Sequence, residues 1–277
     1  MRTLFFGTST FAVPSLRVVA QRSELAGVAT QPDRPSGRGH RLTPSPVKSA
    51  ALALGARVLE PVNLRAFAQE IASESFDLFV LASYGRVLPQ SLLDVPALGA
   101  LNVHPSLLPK YRGATPIQSA IARGERETGV SIMLMDAGLD TGDLVLQERV
   151  AIEPGETYGE LHDRLARTGA ELLGTALDLA ARRALPREPQ RGEATVTRPL
   201  TKDDLVVDLS WPVERIVDAV RAFAPQPGAR AQLGGETVKI LKAHAGEGGE
   251  LVIDELIPPN RGRMTGADYL RLRGSSS

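Results

Sequence analysis

An asparagine and a histidine stand two residues apart in the stretch "LNVHPSLLPKYRG" at residues 101–113. The residues before them are apolar and β-prone, so Asn102 and His104 are predicted at the end of a buried strand, pointing to the same side. An amide and an imidazole that converge on one atom can stabilise a developing negative charge or move a proton. A buried histidine that satisfies a neighbouring carbonyl group is the alternative, which the paired spacing weakens without removing.

A carboxylate-rich segment, "DAGLDTGD" at residues 136–143, follows the apolar run "VSIMLMD". Taken alone, this composition is explained equally well by an Asx-rich turn. A carboxylate beside an asparagine and a histidine would instead orient the imidazole and stabilise its cationic form. The two segments together predict a polar constellation at the carboxyl ends of strands, where open α/β sheets bind their ligands.

A basic loop, "QPDRPSGRGHRLTPSPVK", occupies residues 31–48. Its cations are interleaved with Gly and Pro and could bind phosphate groups, although a solvated basic loop without a ligand explains the composition as well. Residues 1–50 carry seven Lys and Arg against two Asp and Glu, whereas the whole chain has a net charge of zero. Any contact with a polyanion therefore has to come from a local patch.

The elements that must position these residues alternate between short apolar runs and helical patterns through the first two thirds of the chain. Near-continuous apolar runs separated by helix-length segments indicate a parallel sheet covered on both faces. The predicted fold is therefore α/β, with a Rossmann-like, doubly wound, mostly parallel sheet. Helices are predicted to start at Pro46 and Pro116, and at a capping box of Thr157 and Glu160 whose helix reaches about Arg183.

Loss of helical periodicity after Leu185 marks the end of this domain. We predict a catalytic domain at residues 1–185, a linker at 186–204 and a second domain at 205–277. The second domain has one amphipathic helix, "VERIVDAVRAF", and short strand-like runs broken by Gly and Pro, a pattern typical of a small, partial β-barrel.

Composition narrows the class further. The 277 residues are 43% hydrophobic and 23% charged, and no apolar run approaches the roughly 18 residues of a membrane span. The chain has no cysteine and its start does not resemble a secretory signal, so a soluble cytoplasmic protein is expected. There is no P-loop and no metal-spaced cluster in the sequence, so no metal is expected.

Four stretches together resemble the methionyl-tRNA formyltransferases of the folate-dependent formyltransferase superfamily. They are "FFGTSTFA", "TQPDRPSGRG", "NVHPSLLPKYRGATPIQ" and "GVSIMLMDAGLDTGD", and the similarity continues to "RMTGADYL". The resemblance implies that the superfamily's catalytic asparagine, histidine and aspartate are Asn102, His104 and Asp140.

Binding residues follow from the same resemblance. It implies a folate-contacting turn formed by Ser106, Leu107, Leu108 and Pro109, and a segment lining the pterin pocket formed by Tyr84, Gly85, Arg86, Val87 and Leu88. It also implies that the basic loop enters the acceptor end of the tRNA through Arg34, Arg38, Arg41 and Lys48, with Arg38 the most important.

The activity implied is formyl transfer from 10-formyltetrahydrofolate to the α-amino group of methionine on initiator methionyl-tRNA, by a monomer and without a metal. The family's C-terminal domain is an oligonucleotide-binding (OB-like) barrel, and here it is shorter than the family pattern. One alternative is another formyltransferase or hydrolase of the superfamily, acting on a sugar nucleotide or a small amine, which would have no use for the basic loop. The other is a binding protein for RNA or folate that has lost catalysis, which leaves three convergent polar groups unexplained.

Overall fold

The computed structural model describes residues 1–36 and 41–274. Contacts divide the chain into two compact units. The first comprises Met1–Gly113, Gly129–Val150 and Asp163–Val196, and the second comprises Ala114–Thr128, Ala151–His162 and the chain from Thr197 onward. The predicted domain boundaries at residues 185 and 205 stay a prediction.

Fifteen strands occur in the part of the chain that the structure describes: β1 Arg2–Gly7, β2 Glu24–Ala29, β3 Arg34–Ser36, β4 Arg41–Thr43, β5 Val58–Leu59, β6 Leu78–Ala82, β7 Ala100–His104, β8 Arg112–Gly113, β9 Glu127–Leu134, β10 Leu144–Ala151, β11 Val196–Thr197, β12 Ala229–Leu233, β13 Glu236–Ala245, β14 Leu251–Ile257 and β15 Met264–Thr265. The helices in the same residues are α1 Ala12–Arg22, α2 Pro46–Ala53, α3 Leu64–Glu70, α4 Gln90–Leu93, α5 Pro116–Ala122, α6 Tyr158–Ala181, α7 Val213–Phe223 and α8 Gly266–Gly274. None of these helices is long and apolar enough to cross a membrane.

A seven-stranded sheet in the order β10-β9-β7-β6-β1-β2-β5 organises the first unit, as far as the described residues show. The pairs β1·β2, β1·β6, β2·β5 and β6·β7 are parallel, whereas β7 and β9 pair antiparallel. Every residue of β6 is buried, as expected for a strand covered on both faces. The predicted mostly parallel α/β fold is confirmed.

Local sequence signals set the helix starts. Ser45 caps α2 by accepting a hydrogen bond from the Lys48 amide at 3.0 Å, with Pro46 in the first turn. At α6, the Glu160 carboxylate accepts from the Thr157 amide at 2.9 Å, and the Thr157 hydroxyl accepts from the Glu160 amide at 3.4 Å. This is the predicted capping box, and the helix ends at Ala181, close to the predicted Arg183.

The C-terminal strands form a small antiparallel sheet in the order β12-β13-β14-β15. A short turn joins β13 to β14, closed by a hydrogen bond from the Gly246 amide to the Glu250 carbonyl at 2.8 Å. No pairing between β12 and β15 occurs in the residues described, so these four strands make an open sheet. The predicted helix coincides with α7, whereas α8 was not predicted.

Candidate active site

Asn102 and His104 lie on β7, whose parallel neighbour is β6. Both strands therefore end at the same edge of the sheet. Asn102 is half-buried, and the side chain of His104 is only 5% exposed. The predicted placement of the pair at the end of a buried strand agrees with the structure.

The two ring nitrogens of His104 face different groups. Nε2 lies 2.9 Å from the carbonyl oxygen of Tyr111. Because a carbonyl oxygen only accepts hydrogen bonds, Nε2 carries a proton and donates it. Nδ1 lies 3.7 Å from Oδ2 of Asp140, which is beyond hydrogen-bonding distance but close enough for an ion pair when the ring is protonated. Nδ1 is therefore the nitrogen turned toward the carboxylate.

Asp140 joins the pair through both of its carboxylate oxygens. Oδ1 accepts a hydrogen bond from the Asn102 amide group at 3.3 Å, and Oδ2 accepts one from the Gly113 backbone N–H at 2.8 Å. The side chain is 13% exposed. The structure thus brings together the three residues that the resemblance singled out, around one partly buried carboxylate.

The segment 136–143 that carries Asp140 is held by local contacts. Oδ1 of Asp136 accepts hydrogen bonds from the Gly138 amide at 3.0 Å and from the Thr141 hydroxyl at 2.6 Å, which is an Asx turn. Gly142 has no room for a side chain, since a Cβ there would lie 1.7 Å from the Leu134 carbonyl oxygen. The Asx-turn interpretation therefore holds for Asp136, whereas the catalytic role of Asp140 stays a prediction.

Gln190 and Thr195 contact the site, although they lie in the segment predicted to be a linker. The Thr195 hydroxyl accepts a hydrogen bond from the Tyr111 amide at 2.8 Å. The Gln190 amide group donates to the Asp140 carbonyl at 2.8 Å. Polar residues in a segment rich in Pro and charge resemble any solvated loop, so no local signal distinguished these two.

Hydrogen bonds to other residues of the protein hold the turn at residues 106–109. The buried Ser106 hydroxyl donates to the Lys110 carbonyl at 2.7 Å, and the Ser131 hydroxyl donates to the Ser106 carbonyl at 2.6 Å. Leu108 is buried, whereas Leu107 and Pro109 are half-buried. The peptide bond between Leu108 and Pro109 is cis. Ser106 therefore shapes the turn through its hydroxyl group.

The segment at residues 84–88, which follows β6, turns most of its side chains into the protein. Tyr84 is buried edge-on against Phe6 with ring centres 5.5 Å apart, and this burial raises the pKa of its hydroxyl group. The Arg86 guanidinium donates to the carbonyls of Pro61 and Val62 at 2.7 and 2.9 Å. Leu88 is buried, whereas Val87 is 71% exposed. The backbone of this segment turns at Gly85, which has a φ of 77°.

The basic loop is placed in part. Arg34 starts β3 and Arg41 starts β4, and the two strands pair antiparallel as a hairpin. Arg38 lies outside the described residues. The Lys48 ammonium lies 2.9 Å from a carboxylate oxygen of Glu60 and 2.9 Å from one of Asp33, and these hydrogen bonds raise the pKa of Lys48. Its charge is thus compensated within the protein.

Three polar side chains converge at the carboxyl edge of a Rossmann-like sheet, which is where open α/β sheets bind their ligands. No group of three or more His, Asp or Glu side chains that could hold a metal occurs among the residues described. A family model described as "Formyl transferase" matches residues 1–177, and one described as "Formyl transferase, C-terminal domain" matches residues 199–252. The chain belongs to the formyl transferase family.

Sequence relatives narrow the comparison. The chain is 42% identical to the methionyl-tRNA formyltransferase of Syntrophus aciditrophicus, over 97% of this chain and 95% of the relative. It is 47% identical to that of Chromobacterium violaceum, over 90% of this chain and 82% of the relative. The resemblance to methionyl-tRNA formyltransferases found in the sequence is confirmed.

A solved structure of low identity shares the fold. HypX from Aquifex aeolicus in complex with tetrahydrofolic acid matches with a TM-score of 0.68 and 19% identity, over 98% of this chain and 47% of that one.

Proposed function

We propose that this chain transfers the formyl group of 10-formyltetrahydrofolate to the α-amino group of methionine on initiator methionyl-tRNA. The observation that carries the proposal is the convergence of Asn102, His104 and Asp140 at the sheet edge, in a chain whose relatives at 42 and 47% identity are methionyl-tRNA formyltransferases. We further propose that the protein acts as a monomer, is located in the cytoplasm and needs no metal.

The chemistry asks the protein to stabilise negative charge on the formyl oxygen while a neutral amine attacks the formyl carbon. Asn102 and a protonated His104 supply hydrogen-bond donors for that charge, and one such donor typically contributes about 3 to 4 kcal/mol to the transition state. The hydrogen bond from Nε2 to the Tyr111 carbonyl holds the ring, which leaves Nδ1 as the donor toward the reacting group.

The Asp140 carboxylate lies 3.7 Å from Nδ1 of His104, close enough to form an ion pair with the ring when the ring is protonated. This carboxylate is itself oriented by the Asn102 amide and the Gly113 N–H. Nδ1 is also the position from which a proton passes from the attacking amine toward the leaving nitrogen of the folate, directly or through a water. The atoms balance, since the amine loses one proton and the folate nitrogen gains one.

Folate recognition is assigned to the turn at 106–109 and the segment at 84–88. These segments follow the adjacent parallel strands β7 and β6, so both lie at the sheet edge that carries Asn102 and His104. The side chains of Ser106 and Arg86 are engaged with the protein's own carbonyl groups. We therefore assign recognition in the 84–88 segment to backbone groups and to Val87.

Binding of tRNA is assigned to the basic loop. Arg34 lies opposite Thr43 and Arg41 lies opposite Ser36 in the β3–β4 pair, and Arg38 lies between the two arginines in sequence. Lys48 is the weakest candidate of the four predicted residues, because Glu60 and Asp33 already compensate its charge.

The decisive experiment incubates the protein with 10-formyltetrahydrofolate and methionine-charged initiator or elongator tRNA, then measures formyl-methionine. Formylation confined to the initiator tRNA supports the proposal, and no formylation of either would exclude it. Arg38→Ala should raise the KM for tRNA about tenfold and leave the KM for the folate unchanged, because it removes a single phosphate-binding cation. An equal loss on both substrates would mean that the loop serves the fold.

A further inference from the structure

The amide of Gln190 connects the two backbone segments that meet at the Asp140 carboxylate. Its nitrogen donates to the carbonyl oxygens of Asp140 and Gly142, both at 2.8 Å. Its oxygen accepts from Nε and Nη2 of Arg112 at 3.1 and 2.7 Å. A glutamine amide offers two protons and two lone pairs, and all four are used here.

The orientation of this amide is fixed by its neighbours. Arg112 has only donors to offer, and the two carbonyl groups have only lone pairs, so the amide cannot be reversed without losing all four hydrogen bonds. Gln190 therefore holds the 136–143 segment and the Arg112 side chain in one geometry.

The same two segments hold the Asp140 carboxylate. The residue after Arg112 is Gly113, whose N–H donates to Oδ2 of Asp140. Asp140 has a φ of 51°, in the left-handed region that a non-glycine residue occupies only at some cost in conformational energy. The Gln190 amide donates hydrogen bonds to the carbonyl groups of Asp140 and Gly142, and these two bonds oppose relaxation of Asp140 out of the left-handed conformation.

We infer that Gln190 is a positioning residue that sets the place of the Asp140 carboxylate relative to His104. This inference rests on the proposed function. In this inference Gln190 acts on the reaction through Asp140: it binds the backbone carbonyls of Asp140 and Gly142 and the side chain of Arg112, the residue preceding Gly113. Loss of the amide lets the 136–143 segment relax, so the carboxylate moves away from Nδ1 of His104. A displacement of about 1 Å at a catalytic group can lower the rate about a hundredfold.

The first test compares Gln190→Ala with Gln69→Ala, which removes an exposed glutamine side chain from α3. We expect Gln190→Ala to lower kcat ten- to a hundredfold, with both KM values within threefold of the wild type, and Gln69→Ala to change neither. A loss that appears only in KM would overturn the inference.

A double-mutant cycle then separates positioning from mere structure. If Gln190 acts through Asp140, then Gln190→Ala should have little further effect on kcat once Asp140 is replaced in Asp140→Asn, because the two changes remove the same interaction. An equal loss on the wild-type and Asp140→Asn backgrounds would overturn the inference.

Gln190→Glu keeps the shape of the side chain and covers the case in which the alanine variant does not fold. A carboxylate still accepts from Arg112 but cannot donate to the Asp140 and Gly142 carbonyls, so kcat should fall at least as far as in Gln190→Ala. A wild-type kcat in this variant would contradict the inference.

One readout needs no substrate. The amide chemical shift of Gly113 reports on its hydrogen bond to Asp140, and it should move in Gln190→Ala but not in Gln69→Ala. An unmoved Gly113 signal would refute the positioning role even if the wild type formylates tRNA. If the Gly113 signal moves in Gln190→Ala but the wild-type protein formylates no tRNA, only the proposed function is refuted.

Discussion

The two ends of the seven-stranded sheet are built differently. At the amino end, the Glu74 carboxylate pairs with the guanidinium groups of Arg2 and Arg57, each at 3.0 Å, and Asp77 accepts from the Arg2 amide at 2.7 Å. These contacts join the starts of strands to one another. They engage the Glu74 and Asp77 carboxylates with groups of the protein itself.

At the carboxyl end, contacts within the protein hold the polar groups of the proposed active site in place. His104 is fixed through Nε2, and its Nδ1 faces Asp140. Ser83 and Asp140 both have left-handed backbone conformations, with φ of 44° and 51°. The left-handed residues Ser83 and Asp140 thus lie at the carboxyl edge, whereas the ion pairs of Glu74 join the strand starts at the amino edge.

The largest expected effect is a loss of kcat on substitution of Asn102 or His104 at the carboxyl edge. Asn102→Ala and His104→Ala should each lower kcat at least a hundredfold, because each removes a donor that acts on the transition state. His162→Ala, a matched change on α6, should stay within threefold. Steady-state kinetics combined with circular dichroism would check this, and near-normal turnover by a folded Asn102→Ala protein would contradict the proposed chemistry.

A smaller effect concerns backbone shape at the same edge. At Gly85 a Cβ would lie 2.7 Å from Nε2 of Gln31, which donates to the Tyr84 carbonyl at 2.7 Å. Gly85→Ala should therefore raise the KM for the formyl donor about fivefold, because an alanine in this region is strained by about 1 kcal/mol and displaces Gln31.

Gly55→Ala is the control for that prediction. Its φ is 67°, and nothing lies within 4 Å of an added Cβ. It carries the same backbone strain away from the site, so it should lower thermal stability without changing the KM. Equal KM changes in both variants would show that Gly85 has no special part in binding.

The smallest expected effect lies at the amino edge. Hydrogen bonds from Arg2 and Arg57 lower the pKa of Glu74, so its contribution to stability is complete above the ordinary glutamate pKa of about 4.3 and disappears as the pH falls through its lower folded value. Because the partners are partly exposed, this contribution is under about 1 kcal/mol.

Urea unfolding between pH 3 and pH 7 would measure it. Glu74→Gln should lower the unfolding free energy at pH 7 and flatten its decline with acidity, with kcat unchanged. The exposed Glu70→Gln is the comparison, and it should change neither quantity. A loss of kcat in Glu74→Gln would contradict the prediction that the amino edge contributes to stability and not to turnover.

Features whose cause is local were predictable from the sequence. Thr157 and Glu160 carry the α6 capping box in four consecutive residues, and Pro46 marks the start of α2. The apolar run ending at His104 was enough to place Asn102 and His104 on one strand. Each of these depends on residues a few positions apart.

Features set by distant residues were not predictable in this way. Asp136 and Asp140 have the same side chain in one short segment, and only the contacts of Asp140 with residues 38 and 27 positions away give it a different place. Gln190 is 50 residues from the carbonyl it binds. The antiparallel pairing of β9 with β7 depends likewise on the course of the chain between them.

The hydrogen bond between His104 and the Tyr111 carbonyl limits where the imidazole can gain and lose protons during the proposed catalytic cycle. With Nε2 engaged by the Tyr111 carbonyl, the proposed mechanism leaves the ring a single atom for proton exchange, so a proton accepted at Nδ1 must also leave from Nδ1 before the next turnover. An imidazole with two exchanging nitrogens could take a proton from one side and return another to the opposite side. Here both protons pass through Nδ1, and formyl transfer to a neutral amine ends with no net proton gained or lost by the enzyme, because the folate nitrogen takes up the proton that the amine loses.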